Sequence, residues 1–440
     1  MLIFVTKQTE RVTYTFSLVF GKLFGIDFKI TSDENEFKNF SGAKLNYSAK
    51  NFGDALYLHA ENILFEKNIR EQDLKISTHD GLTVLFSNGT LQECQEEKSI
   101  LPYDIFAAVF FMVSRYEEYL PFVPDAFGRF PLKESVAFKN NFWNQAIVHR
   151  WAAQLKNKIS EKFVELKFPE PKYNFLLTYD IDIAFAYRER PIWRNAGAAV
   201  KEIFSGRFSS FKIRMSVLRG KMKDPFDTTE EQMNWQKKFS LTQKYFFLLS
   251  DWGKNNKNIH WQNKNLKQLI QKISSKFEVG IHPGFFSATN ENIMCEEVSR
   301  LEKITNKKIA QSRQHFLKIK FPDTYEHLIA NGIEEDYTMG YSEDVGFRCG
   351  MAVDFPWFNL KKNEATSLML IPFQVMDASL FYSQKLKAEE ALTESKKIID
   401  EVKSVGGQFV FLAHNDLIGD ESEWKNWKNN FEKILDYASS

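Results

Sequence analysis

The 440-residue chain changes character at Phe168-Pro169-Glu170-Pro171, a stiff break that sets the boundary between two regions, 1–168 and 172–440. Beyond it, short apolar runs alternate with amphipathic stretches. The runs fall at 175–180, 245–249, 278–282, 312–317, 336–338, 367–371 and 408–413. Helical patterns intervene at 228–239, 264–276, 292–304 and 385–405, with a last one at 421–437. Strand–helix alternation predicts parallel strands with helices outside them, because a helix is the usual return path between parallel neighbours. The class is therefore α/β, and seven strands suit either a barrel or an open doubly wound sheet.

The first region has a mixed α+β pattern. Runs at 44–48, 55–59 and 81–86 are rich in β-branched or aromatic residues, and Asp80-Gly81 and Asn88-Gly89 mark turns. A buried helix is expected over 103–120. An amphipathic one is expected over 144–163, with Ile147, Trp151 and Leu155 on one face. No motif in this region translates into chemistry.

Charge and cysteine content exclude several functions. Lys+Arg is 58 and Asp+Glu is 57, so the net charge of +1 provides no global field for a nucleic acid. Three cysteines, Cys94, Cys295 and Cys349, are too few and too scattered for a disulfide framework or a Cys-rich zinc site. A bound metal would need His and carboxylate ligands. No signal-peptide pattern and no long apolar segment is seen, so the expectation is a cytoplasmic protein without a membrane span.

In parallel α/β folds the chemistry gathers at the carboxyl ends of strands. The polar residues at those ends are Asp180 and Asp182, His282, Arg313 and His315, Asp336, Asp377 and His414. In Asp180-Ile181-Asp182, alternation in an extended segment turns both carboxylates to one side. The plainer alternative is a carboxylate that caps the next helix. Arg313 and His315 share a face in the same way, as a functional pair or as a structural ion pair. His282 precedes Pro283-Gly284, which forces a turn, and His414 ends the most apolar run and leads into Asn415-Asp416. His59, His79, His149, His260 and His327 have ordinary surroundings. Three histidines and several carboxylates on one rim have the composition of a metal-dependent hydrolytic site.

In motif order, the second region resembles the polysaccharide deacetylases of the NodB homology type, carbohydrate esterase family 4. Thr178-Tyr179-Asp180-Ile181-Asp182 stands where that family has Thr-Phe-Asp-Asp-Gly. Gly280-Ile281-His282-Pro283-Gly284 stands for its His-x-x-x-His motif, with Phe286 where the second histidine would be. Arg313 matches its orienting arginine, Asp377 its later acidic residue, and Phe411-Leu412-Ala413-His414 its Leu-x-Leu-His strand end. Ser114-Arg115-Tyr116-Glu117-Glu118-Tyr119 and Gly346-Phe347-Arg348 resemble segments of a bacterial subgroup with an extra N-terminal domain.

The resemblance implies a distorted parallel (β/α) barrel and a divalent metal, often zinc, in an enzyme that removes N- or O-acetyl groups from a glycan. Asp182, His282 and His315 would hold the metal, His315 replacing the missing motif histidine. Asp180 would be the general base, Arg313 its orienting partner and His414 the general acid, and Asp377 would keep either His414 or Arg313 in place. Asp336, Arg348 and Trp357 would line the substrate cleft, and Phe285 would stack on sugar. Two alternatives are a non-catalytic glycan-binding protein on a degraded deacetylase fold and a glycosyltransferase using Asp180-Ile181-Asp182 to bind a metal–nucleotide.

Overall fold

The first unit begins with β1 (Leu2–Val5), all four residues of which are buried. It lies between β2 (Lys29–Thr31) and β3 (Lys44–Ser48), with β4 (Leu56–His59) beyond β3 in the order β2-β1-β3-β4. All three pairings are parallel. A hairpin joins β5 (Ser77–His79) to β6 (Leu82–Val84) across Asp80-Gly81, both at positive φ, as the twist of a two-residue turn requires. The computed structural model describes residues 1–52, 54–88, 99–418 and 426–440, so Gly89, Cys94 and the first residues of the expected 421–437 helix lie outside the described residues.

The helix expected over 103–120 is shorter. It runs over Ile105–Val113, every residue buried, and is capped by the Asp104 carboxylate, which accepts the Ala107 N–H. Ser114 Oγ turns back to the Phe110 carbonyl, and Arg115 takes a left-handed φ of 51°, which ends the helix. The amphipathic helix spans Ile147–Lys162 and buries Ile147, Trp151 and Leu155. Residues Gly346–Pro372 and Asp400–Gln408 pack with Met1–Tyr173 to complete this unit.

The second unit comprises Asn174–Val345, Phe373–Ile399 and Phe409–Ser440. Its first strands are β7 (Asn174–Ile181), β8 (Thr242–Phe247), β9 (Glu278–Ile281), β10 (Gln311–Ser312) and β11 (Glu335–Asp336). Next in the chain come β12 (Phe355–Asn359) and β13 (Glu364–Leu370), which form an antiparallel hairpin within the first unit. The expected parallel strand at 367–371 is therefore part of a hairpin. Asn359 Oδ1 accepts the N–H groups of Lys361 and Lys362, and Asn363 at φ 54° completes the reversal. The short β14 (Val375–Met376) takes its place in the sheet, and β15 (Gln408–His414) follows.

Within the second unit the strand order is β11-β10-β9-β8-β7-β15-β14. The pairings β7/β8, β8/β9, β9/β10, β10/β11 and β14/β15 are parallel. The last six residues of β7 are all buried, the mark of a sheet covered on both faces. Helices Thr229–Phe239, Lys264–Ser274, Glu291–Thr305 and Trp427–Ser439 intervene or follow as the pattern predicted. The unit is thus α/β with a parallel sheet. Two helices that the pattern did not predict, Ile192–Phe204 and Phe208–Leu218, fill the connection from β7 to β8. Among the described residues, no helix is long and apolar enough to cross a membrane.

Candidate metal centre

The carboxyl ends of β7, β9, β10 and β15 deliver the site. Past the formal ends of β9 and β10 the ladder continues: Arg313 N–H donates to the Ile281 carbonyl at 3.0 Å and His315 N–H to that of Pro283 at 3.0 Å. This extension sets the rings of His282 and His315 side by side, with centroids 5.0 Å apart. The turn after His282 is held by Glu297, a buried carboxylate that accepts the Gly284 N–H at 2.8 Å and the Ser287 hydroxyl at 2.6 Å. A Cβ on Gly284 would stand 1.8 Å from Ser250 Oγ, so only glycine lets the backbone pass there.

Asp182 meets both rings. Its Oδ1 lies 3.1 Å from His282 Nε2 and its Oδ2 lies 3.4 Å from His315 Nε2. One ligand atom from each of the three side chains can be chosen with all lying within 4.8 Å of one another. Hydrogen bonds on the far side of each ring fix the tautomers. His282 Nδ1 is 2.6 Å from the Arg313 carbonyl, which only accepts, so Nδ1 carries the proton and Nε2 presents a lone pair. His315 Nδ1 is 3.2 Å from Asn256 Oδ1. That oxygen also accepts the Phe285 N–H at 3.2 Å, which identifies it as the amide's acceptor end. Two imidazole lone pairs therefore converge on a carboxylate, and Asp182 Oδ1 is buried with no hydrogen-bond partner. Such an arrangement needs a cation or extra protons between its members. With two nitrogens and a carboxylate as donors, and with oriented outer partners, it fits a divalent metal. Among the described residues it is the one cluster of this kind.

Asp180 lies beside the cluster, its Oδ2 3.7 Å from His282 Nε2. Its Oδ1 accepts from Arg313 Nη1 at 2.9 Å. Arg313 is fully buried and spends its other donors on Thr178 Oγ1 at 2.8 Å and the Tyr337 carbonyl at 2.9 Å. Across the sheet, β14 leads to Asp377 and β15 to His414. Asp377 accepts both the His414 backbone N–H and its Nδ1–H at 2.6 Å. Burial opposes protonation of the ring, but Asp377, with Asp182 and Asp180, outweighs it and raises the pKa to about 10. The imidazolium is thus the resting state in this arrangement.

Of the three expected substrate contacts, Asp336 lies in the second unit, and Arg348 and Trp357 lie in the first. Asp336 is fully buried and accepts from Ser312, the Thr338 hydroxyl and the Thr338 N–H, a structural role at the end of β11. Arg348 lies in the first unit, with Nε and Nη2 on the Glu118 carboxylate at 2.9 and 2.6 Å. Arg115 joins the same group through Glu117 and Glu118, so the segments 114–119 and 346–348 meet in one buried ion-pair cluster. Trp357 is 1% exposed in β12, so its ring serves the core of the first unit. Phe285 packs edge-on against Phe286 and Phe316. Phe286, at the missing motif histidine, is 56% exposed. Asn256 went unnoticed in the sequence; it sits in an Asn/Lys-rich loop with no spacing that would mark it.

A family model described as a family of unknown function (DUF7033) matches residues 1–164. No curated protein matches the chain. Among solved structures, the chain is similar to one named as a polysaccharide deacetylase from Mycobacterium smegmatis, at 12% identity and a TM-score of 0.41, over 62% of this chain and 87% of that one. It is similar to one named as a polysaccharide deacetylase from Pseudomonas aeruginosa PAO1, at 10% identity and a TM-score of 0.38, over 60% and 84%. It is also similar to a 4-alpha-glucanotransferase from Thermococcus litoralis, at 12% identity and a TM-score of 0.34, over 62% of this chain and 38% of that one. Polysaccharide deacetylases, the family that the motif order resembles, thus recur among the similar structures.

Proposed function

We propose that the second unit is a metal-dependent hydrolase, with the barrel architecture of the polysaccharide deacetylases, that removes N- or O-linked acetyl groups from a carbohydrate. The observation that carries this reading is the convergence of Asp182, His282 and His315, flanked by the Asp180–Arg313 and His414–Asp377 pairs. Asp182, His282 and His315 would hold the ion, and a site of two histidines and a carboxylate suits zinc. When bound, the ion supplies Lewis acidity toward the acetyl carbonyl and toward water.

The chain's own groups divide the proton work. Asp180, with one oxygen fixed by Arg313 and the other turned toward the cluster, accepts the proton of the attacking water. His414, held protonated by Asp377, gives a proton to the departing amine or alcohol. Arg313 and Asp377 position these two groups. The glycosyltransferase alternative leaves His282, His315 and His414 without a role.

The test is His414→Ala in the full chain. Loss of acetate release from acetylated glycans with metal content retained is expected. Acetate release at the wild-type rate would remove His414 from the mechanism. A metal-loaded wild type that releases no acetate from any acetylated glycan would favour a glycan-binding role.

A further inference from the structure

The connection after β7 is an inverted amphipathic hairpin. Its helices Ile192–Phe204 and Phe208–Leu218 meet at Gly206, which has φ +69°. The inward face is mostly polar, with Val217 its one buried apolar side chain. Arg214 donates to both oxygens of Glu202 at 3.0 and 2.6 Å and to Asn195 Oδ1 at 2.7 Å, and all three residues are buried. The outward face is apolar: Ile192 is 87% exposed, Trp193 67% and Phe204 88%, with Val200, Ile203 and Phe208 also exposed. Among the described residues, this hairpin holds seven of the sixteen exposed large apolar side chains, far more than scattered surface residues account for. Packing within the second unit thus holds the hairpin by its polar side and leaves the apolar side outward.

The charge on that surface has one sign. Residues 192–223 contain eight basic residues and a single acidic one, in a chain of net charge +1. The acidic one, Glu202, is buried against Arg214. Lys201, Arg207, Lys212, Arg219 and Lys221 are exposed. Beside them, the Arg194 guanidinium lies 4.9 Å from the Trp193 ring centroid and 3.8 Å from that of Trp252, where Lys257 Nζ approaches to 4.4 Å. Trp, Phe and Ile among Lys and Arg form the combination that settles at a lipid headgroup boundary, with the aromatic rings in the boundary and the cations on anionic headgroups.

We propose that the hairpin 192–218 docks the protein on an anionic bilayer surface, without spanning it. The exposed aromatic and aliphatic side chains interspersed with cations of one sign favour an anionic lipid surface as the occupant, because such a face enters the headgroup boundary with its apolar groups while its cations meet the headgroups. The base of the hairpin is anchored by Asp224, which accepts the N–H groups of Ala186, Tyr187 and Arg188 at 2.7, 2.9 and 3.0 Å. The hairpin begins ten residues after Asp182, so docking would act through the connection that leaves the metal cluster. The inference does not depend on the deacetylase reading.

The experiment is vesicle cosedimentation of the full chain, with phosphatidylcholine alone and with an equimolar mixture of phosphatidylcholine and phosphatidylglycerol. Binding to the mixed vesicles is expected at low salt, at least about tenfold tighter than to the neutral ones, and weakening as salt rises. Ile192→Glu with Phe204→Glu, both at exposed positions, should lower binding at least about tenfold with circular dichroism and metal content unchanged. Lys201→Glu with Lys212→Glu should cost about fivefold per residue and flatten the salt dependence. No binding to the mixed vesicles, or equal binding by the Ile192/Phe204 variant, overturns the proposal. A wild-type dimer in light scattering that this variant splits also overturns it, by assigning the face to a second copy.

Discussion

Replacing Asp377 with Asn removes a charge with almost no change of volume, and the structure sets the size of the effect. Both carboxylate oxygens serve His414, one on the backbone N–H and one on Nδ1. An amide has only one acceptor end. The oxygen that serves Nδ1 also accepts the Ala378 N–H at 2.6 Å, so the amide keeps its acceptor end there and turns its NH2 toward the His414 backbone N–H. The ring then loses its charge partner. Its pKa is raised to about 10 with Asp377 in place. His149, for which burial is the dominant influence, is lowered to about 4. In the variant, burial still lowers the ring and Asp182 and Asp180 still raise it, so the ordinary imidazole value of about 6.5 is the reference, and the loss is about 3.5 pH units, on the order of 5 kcal/mol. At pH 7 the protonated fraction then falls from nearly all to about a quarter. The sign follows from linkage. A raised histidine pKa contributes stability that is complete below about 6.5 and is lost as pH rises toward about 10. The variant's deficit should therefore be greatest in mild acid and should narrow through that window. Imidazole nitrogen NMR on metal-free wild type and variant reads both values directly. A bound divalent cation opposes the carboxylates, so the loaded protein should titrate lower than the metal-free one. A wild-type His414 titrating in the ordinary range, or an unchanged value in Asp377→Asn, would show that Asp377 does not hold the ring protonated.

Asn256→Ala removes the acceptor that orients His315, and metal affinity should fall about 10–100-fold in competition with a chromophoric chelator. An unchanged affinity would remove Asn256 from the site. Arg313→Met leaves the Asp180 carboxylate buried beside a thioether and should destabilise the second unit by about 3–5 kcal/mol in urea unfolding. His149 accepts the Ala352 N–H at 3.0 Å through Nε2 and must be neutral to do so. Its pKa, lowered by burial to about 4, means that the first unit loses stability as pH falls from about 6.5 toward 4, by on the order of 2 kcal/mol allowing for partial exposure. His149→Gln should flatten that limb in calorimetry.

The strand ends were legible because apolar runs such as Phe409–Ala413 stop abruptly at a polar side chain, and a buried parallel strand has few other ways to read. The alternation in Asp180-Ile181-Asp182 and Arg313-Gln314-His315 was legible for the same geometric reason. The segment 367–371 misled because it is as apolar as a parallel strand, yet β13 is buried only in alternation toward its end. The ion pair of Arg348 was not legible, because its partner, Glu118, lies 230 residues away and no local pattern reports such a pair. Asp336 ends a strand as expected, but its carboxylate is used up by Ser312 and Thr338. The hairpin 192–218 escaped because its periodicity is inverted: a helix whose polar face is buried carries none of the signals of core packing.

The most direct test of the central claim is acetate release from an acetylated glycan by the full chain before chelation, after it, and after reloading with a divalent metal. Release should stop when the metal is removed and return with one ion per chain. Asp182→Ala should neither hold the ion nor release acetate. Acetate release indifferent to chelation, or undiminished in Asp182→Ala, would rule out a metal-dependent hydrolase at this site.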